Sequence, residues 1–198
     1  MKICIPFLFI FILVLGACAV TQTTPPTPII KETTISLTAP KYNVGDEWTF
    51  RWAQGAPYIL KVVEIGKDSI VTTRSDTNCR QYRDGHFTIT RFSGDACGLT
   101  FVGARQLDFP LFVGKSWQYT AQGQDLRLET SVKVIKYEKI TTTAGSYEAF
   151  ELEGRWFIHN INQRGTTRYW YAPLIKQIIK LQSDAAKWDT EMISFSIR

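Results

Sequence analysis

Apolar positions along residues 42–198 recur mainly at every second residue and seldom with the spacing of a helix. Trp48, Phe50 and Trp52 alternate with Thr49 and Arg51, and a period of two sets the three aromatics on one face of a strand. Gly45, just ahead of them, suits a turn. Tyr58 to Ile65 and Ser69 to Arg74 read as strands joined by a tight hairpin at Gly66-Lys67-Asp68, so the first three strands form a meander. Cys79 to Arg83 and His86 to Phe92 flank Asp84-Gly85, a pair suited to a type I′ turn, whose two central residues both need positive φ. Leu126 to Lys139 is a long strand with Leu126, Leu128, Val132 and Val134 at even spacing, interrupted by Thr130. Ala144-Gly145 turns the chain into Tyr147 to Phe157, and Thr166 to Ala172, Lys176 to Gln182 and Lys187 to Ile197 follow. The pattern predicts an all-β fold, an antiparallel meander of about ten strands with few short helices. A sheet of that size must curl, split or close to hide its edges and its apolar face, and a half-barrel or open barrel is expected.

The first residues break the alternation. Lys2 precedes an almost wholly apolar run from Ile3 to Leu15 that ends in Gly16 and Ala17, the layout of a signal peptide. The run falls short of the about 20 residues a membrane-spanning helix needs, and Pro6 interrupts it. Leu15-Gly16-Ala17-Cys18 resembles the lipobox of bacterial lipoproteins. That resemblance implies diacylglycerol on the Cys18 thiol, cleavage between Ala17 and Cys18, and acylation of the new amino group. Ordinary secretory cleavage after Ala19 satisfies the small-x-small rule as well. By similarity to Gram-negative lipoproteins, Ala19 in place of aspartate implies the outer membrane. Residues 18–40 are rich in Thr and Pro, with few large side chains besides Ile29, Ile30 and Leu37, and are expected to form an extended spacer. The expected organisation is therefore a signal peptide over 1–17, a tether over 18–40 and a single β domain over 41–198.

Composition narrows the function classes. Hydrophobic residues make up 44% and aromatics 13% of the chain, enough for a sizeable core. The net charge of +5 is spread along the sequence with no Lys/Arg run, so nucleic acid is not an expected partner. Of the four cysteines, Cys4 leaves with the leader and Cys18 takes lipid. Cys79 and Cys97 remain as an even pair in an oxidising compartment, which predicts a disulfide. A zinc site built on them with His86 lacks the C-x-x-C spacing usual for such sites, and no metal or other cofactor is expected.

Val113-Gly114-Lys115-Ser116-Trp117-Gln118-Tyr119 repeats the pattern of Val44-Gly45-Asp46-Glu47-Trp48-Thr49-Phe50. These two segments, Ala144 to Phe150 and Tyr169-Trp170-Tyr171-Ala172-Pro173 resemble, in that order, poorly characterised β-rich domains of bacterial periplasmic proteins and lipoproteins. The likeness covers most of residues 42–182 and implies an envelope location and an antiparallel β fold, with no catalytic residue to carry over. In such domains a glycine commonly follows Trp-Tyr-x-Pro, whereas Leu174-Ile175-Lys176 stands here.

No nucleophile elbow, zincin motif, phosphate loop or dinucleotide fingerprint occurs, and His86 and His159 stand apart from any nucleophile motif. Glu151 and Glu153 share a strand face, as any i, i+2 pair does. Arg74, Arg80, Arg83, Arg91 and Arg105 gather in sequence near the predicted disulfide but are diluted by Asp76, Asp84 and Asp95. Tyr169 and Tyr171 project from one strand face and Trp170 from the other. On a concave sheet such rings line a groove for an acyl chain or stack on a sugar, or else they pack the core. The expected function is a non-catalytic, membrane-anchored lipoprotein of the outer membrane that binds an amphiphilic ligand or an envelope protein. The alternatives are an accessory acting only through protein contacts and a hydrolase with dispersed residues. A concave apolar cavity favours the binder, and a flat exposed apolar patch favours the protein contact.

Overall fold

Eleven strands form in the computed structural model, which describes residues 36–94, 97, 100–184 and 186–198. The signal peptide, Cys18 and the spacer up to residue 35 lie outside the described residues. The strands are β1 (Glu47–Trp52), β2 (Pro57–Ile65), β3 (Ile70–Arg74), β4 (Arg80–Arg83), β5 (Ile89–Ser93) and β6 (Ser116–Gly123). β7 (Leu126–Thr142), β8 (Gly145–Ile158), β9 (Gln163–Ala172), β10 (Gln177–Ser183) and β11 (Thr190–Ser196) complete the set. All pair antiparallel in one open sheet ordered β5-β4-β3-β2-β1-β11-β10-β9-β8-β7-β6. Two meanders, β1 to β5 and β6 to β11, are thus joined along the β1–β11 ladder.

Each meander opens with the same device. Gly45 and Gly114 take left-handed backbone, φ 94° and 90°, which a side chain would strain. Each glycine N–H then donates to the carbonyl of a valine on the next strand, Val62 or Val134, at 2.8 and 2.9 Å. The tryptophan three residues on turns inward, and its indole N–H is satisfied by a distant carbonyl, Ile175 for Trp48 (2.9 Å) and Arg105 for Trp117 (3.0 Å). The sequence repeat is therefore a structural repeat.

Alternation sends Trp48, Phe50, Leu60, Val62, Val132, Val134 and Leu152 to the core. Each such fully buried side chain contributes about 1.5–3 kcal/mol. At one end of the sheet the rings of Tyr42, Phe87, Phe109 and Tyr171 meet with centroids 5.7–6.2 Å apart and plug the interior. The two edges, β5 and β6, are not left bare. Residues 102–105 run between them: Ile89 N–H donates to Ala104 O and Gly103 N–H to Ile89 O, while Val102 and Gln122 exchange both hydrogen bonds. The sheet is curled, and an irregular segment spans its seam.

Several expectations need adjustment. Asp84-Gly85 is not a type I′ turn, because the left-handed residue is Phe87 (φ 58°). The Asp84 carboxylate accepts from the His86 and Thr88 N–H groups, both at 2.8 Å, and this side-chain turn displaces the two-residue hairpin. The last strand begins at Thr190, since Ala186–Trp188 forms a 3-10 turn. Leu37, in the segment read as spacer, pairs with Leu111 through two 2.8 Å hydrogen bonds. The expected pairing needs none: Cys79 and Cys97 are joined by a disulfide. Lys176 (φ 60°) holds the left-handed position after Trp-Tyr-x-Pro where a glycine is common.

Candidate functional site

At the end of the sheet opposite the aromatic plug, the inward faces of β7, β8, β9 and β10 do not meet. Cross-strand pairs Leu128↔Ile158, Thr130↔Trp156, Gly154↔Thr167 and Tyr169↔Leu181 put these side chains on one face. They line a cleft of about 540 Å³, with Trp52, Phe101, Ile161 and Trp188 at other points of the wall. Two strand glycines shape it. Gly154 presents no side chain, and Gly165 lies so close to Trp156 that a Cβ there would fall 2.4 Å from the indole Cζ2. Trp156 is therefore laid across the backbone of β9, and the volume beside it stays open.

One wall is stiffened by a stack of rings. Arg74 is held by Asp76 through Nε at 3.1 Å and Nη2 at 2.6 Å, and its guanidinium lies 4.6 Å from the Tyr58 ring and 5.7 Å from that of Trp52. Tyr58 stacks on Trp52 at 5.4 Å, and Trp52 meets Trp188 edge-on at 6.2 Å. Burial pushes the Tyr58 phenol up to about 12, against the pull of Arg74, so the stack stays neutral at its phenol. Tyr169 is tied by its hydroxyl to the Gln106 carbonyl at 2.9 Å, and burial raises its phenol far above the ordinary range.

Among the described residues no charged side chain lines this cleft; its polar groups are the hydroxyls and amides of Thr130, Thr167, Ser183, Gln106 and Gln163 together with Tyr119 and Tyr169. Such a wall fits a hydrocarbon chain and leaves an ionised head group in water, because a buried unpaired charge is costly.

The residues singled out in sequence fall in different places. Tyr169 lines the cleft. Tyr171 is fully buried in the aromatic plug, where it packs on Phe87 and Phe109, so its ring is core. Trp170, on the other face of β9, is covered as well: its indole N–H donates to Glu138 at 3.2 Å, and Lys180 lies 5.8 Å from its ring. Cys18 is outside the described residues. Trp156, Ile158, Ile161, Leu181 and Trp188 were not marked by the sequence. The signal that marks them is the pair of strand glycines, Gly154 and Gly165, since glycine inside a strand signals close approach or open space.

Elsewhere the two glutamates and two histidines singled out in sequence have partners. Glu151 meets Lys136 at 3.2 Å, and Glu153 meets Arg155 at 3.0 Å. His86 accepts the Phe109 N–H at 3.2 Å, whereas His159 lies 3.1 Å from Glu129 at the other end of the sheet. The arginines do not make one patch: Arg74 pairs with Asp76, Arg105 pairs with Asp108, Arg91 covers Tyr82, and Arg83 is buried. Among the described residues no three His, Cys, Asp or Glu side chains gather as metal ligands.

No protein-family model matches the chain, and no curated protein sequence matches it. Among solved structures, the hypothetical lipoprotein YmcC of Escherichia coli K12 superposes with a TM-score of 0.50 at 9% identity, over 80% of this chain and 89% of that one. The fold resembles that of YmcC. A candidate lipoprotein of Parabacteroides distasonis has a TM-score of 0.45 at 13% identity, over 82% of this chain and 100% of that one. A candidate exported protein with a YmcC-like fold from Bacteroides fragilis has 0.42 at 12%, over 82% and 100%. At such identities the likeness to YmcC concerns the curled sheet and assigns no role to a side chain.

Proposed function

We propose that this protein is a lipoprotein of the bacterial outer membrane, held there by acyl chains on Cys18, and that its β domain binds the hydrocarbon part of an amphiphile without catalysing a reaction. The single observation that carries the binding role is the cleft of about 540 Å³ at the open end of the sheet, lined mainly by apolar and aromatic side chains among the described residues. Its volume lies within the range of about 300–1,000 Å³ typical of small-molecule sites, and its apolar walls match a chain of methylenes, each stabilised on burial by about 0.8 kcal/mol. The lipobox-like Leu15-Gly16-Ala17-Cys18 supports the anchor, and the YmcC-like fold accords with an envelope address.

Two measurements test this. Native mass spectrometry of the protein extracted from its own membrane is expected to show acylated Cys18 and a retained lipid. Titration with a fluorescent fatty acid is expected to saturate, and Leu128→Lys or Leu181→Lys is expected to weaken it by at least about tenfold, because a lysine in the cleft strands a charge. A wild-type protein that binds no amphiphile, or cleft variants that bind as well as the wild type, would overturn the binding role.

A further inference from the structure

The cleft has a neighbour of different chemistry. A smaller cavity of about 310 Å³ shares four of its side chains, Phe101, Gln106, Tyr119 and Leu128, so the two spaces adjoin along that wall. Alternation along β4 puts Gln81 on the same face as buried Arg83, and pairing sets it opposite Phe92 of β5, so both line the smaller cavity. Thr100 adds a hydroxyl, and the Cys79–Cys97 disulfide closes one flank. The side chains of Gln81, Thr100 and Gln106 make no hydrogen bond to another described residue. Polar groups are thus collected beside an apolar cleft and left unused.

Their charge is balanced. Arg74 is the one charged side chain on this lining among the described residues, and Asp76 already takes its Nε and Nη2 at 3.1 and 2.6 Å. An anion placed here meets the Asp76 carboxylate along with the guanidinium, and a cation finds no carboxylate on the described lining. A hydroxyl meets neither penalty: it accepts from the N–H groups that Asp76 leaves and from the amides, and it donates to the amide oxygens. Ile89, Phe92 and Phe101 supply an apolar remainder that suits the C–H edges of a polyol. A space of about 310 Å³ equals roughly ten water molecules at about 30 Å³ each, which a glycerol or a single sugar ring can displace.

We infer that the amphiphile has an uncharged, hydroxylated head group, which lies in the smaller cavity against Gln81, Thr100, Gln106 and Arg74 while its hydrocarbon chain occupies the cleft. The inference rests on the hydrocarbon-binding role proposed above and adds the class of ligand. Gln106 stands at the junction of the two spaces, where its carbonyl also fixes the Tyr169 hydroxyl at 2.9 Å.

The test uses the full acylated chain in lipid nanodiscs and octyl amphiphiles kept well below their micelle thresholds, read by displacement of the fluorescent fatty acid. Octyl glucoside and monooctanoylglycerol are the uncharged probes; octanoate and octyltrimethylammonium are the charged ones. The tighter uncharged probe should displace at a concentration at least about tenfold below either charged one, and its identity tells a sugar head from a glycerol head. Gln81→Leu should shrink that ratio by at least about fivefold, because a ligand hydroxyl loses its partner, and the nearly isosteric Thr100→Val is a second variant expected to do the same. Charged probes that displace as well as uncharged ones, or a ratio unmoved in both variants, overturn the head-group site and leave the hydrocarbon role standing. Octanoate that binds best and weakens in Arg74→Gln shows an anionic head group and overturns it too. A fluorescent fatty acid that fails to bind the wild-type protein overturns both.

Discussion

Three residues show how individual positions act on this fold. Asp46 is shielded from solvent and accepts hydrogen bonds from the Asn43 and Arg198 N–H groups at 3.0 and 2.9 Å and from the Lys176 ammonium at 3.2 Å. Burial pushes its carboxyl upward, yet the bonds from Arg198, Asn43 and Lys176 together outweigh this and hold it below the ordinary carboxylate range. A carboxyl depressed in the folded state stabilises above its unfolded pKa of about 3.9 and loses that contribution as pH falls through the folded value. Asp46→Asn should therefore cost about 2 kcal/mol near neutrality, and urea titrations of the two proteins should converge below about pH 4. Arg83 behaves oppositely. It is buried against the Phe87 ring at 4.7 Å, and its Nε and Nη2 have no hydrogen-bond partner. Burial pulls its pKa down, and Tyr42 and Tyr171 oppose this without outweighing it. Arg83→Met should leave stability unchanged or raise it by about 1–4 kcal/mol, and a lower urea midpoint would show that the guanidinium has a stabilising partner. Gly165 is the third: Gly165→Val must move Trp156, so it should lower the urea midpoint and, through the displaced indole, weaken fatty-acid binding more than Gly85→Val, where nothing lies within 4 Å.

At the scale of elements, period-two alternation made β1, β2 and β7 legible, because each has one more buried and one more solvated face over most of its length. β9 was legible as a strand but not for what its rings do. Tyr169, Trp170, Tyr171 and Ala172 are all buried, so alternation no longer separates inside from outside. The cause lies in a different element. A register shift at Ile135 redirects the hairpin of β7 and β8, whose tip reaches β11: the Thr143 N–H donates to the Glu191 carboxylate, and Tyr147 packs edge-on against Phe195 at 5.9 Å. That hairpin carries Glu138 onto Trp170. Local spacing cannot report a contact made by residues more than thirty positions away. The disulfide was readable because the leader and the lipobox-like segment account for Cys4 and Cys18 and leave Cys79 and Cys97 as an even pair. Closing a loop of 18 residues, it should add about 3 kcal/mol, so Cys79→Ser with Cys97→Ser should lower the urea midpoint by a corresponding amount.

At the scale of the molecule, an eleven-strand sheet has two edges, β5 and β6, that would recruit other chains if left unpaired. The seam segment satisfies both with four backbone hydrogen bonds, and it can approach only because glycines stand where it crosses. Gly103 has φ 91°, and a Cβ on it would lie 2.9 Å from Thr120 O; a Cβ on Gly123 would lie 2.1 Å from Thr100 O. None of this could be read beforehand, because the segment lacks strand periodicity and its partners sit on opposite meanders. It also bears on the cleft, whose wall includes Phe101 and Gln106 on either side of the seam. Gly103→Val should therefore part the seam without unfolding the core. Amide exchange should quicken at Ile89, Val102 and Gln122 while the Trp48 indole stays protected, and the freed β5 and β6 edges should produce concentration-dependent dimers in size-exclusion chromatography. If exchange at Trp48 quickened equally, the seam would be part of the cooperative core; if no amide changed, the edges would be held by something other than this segment.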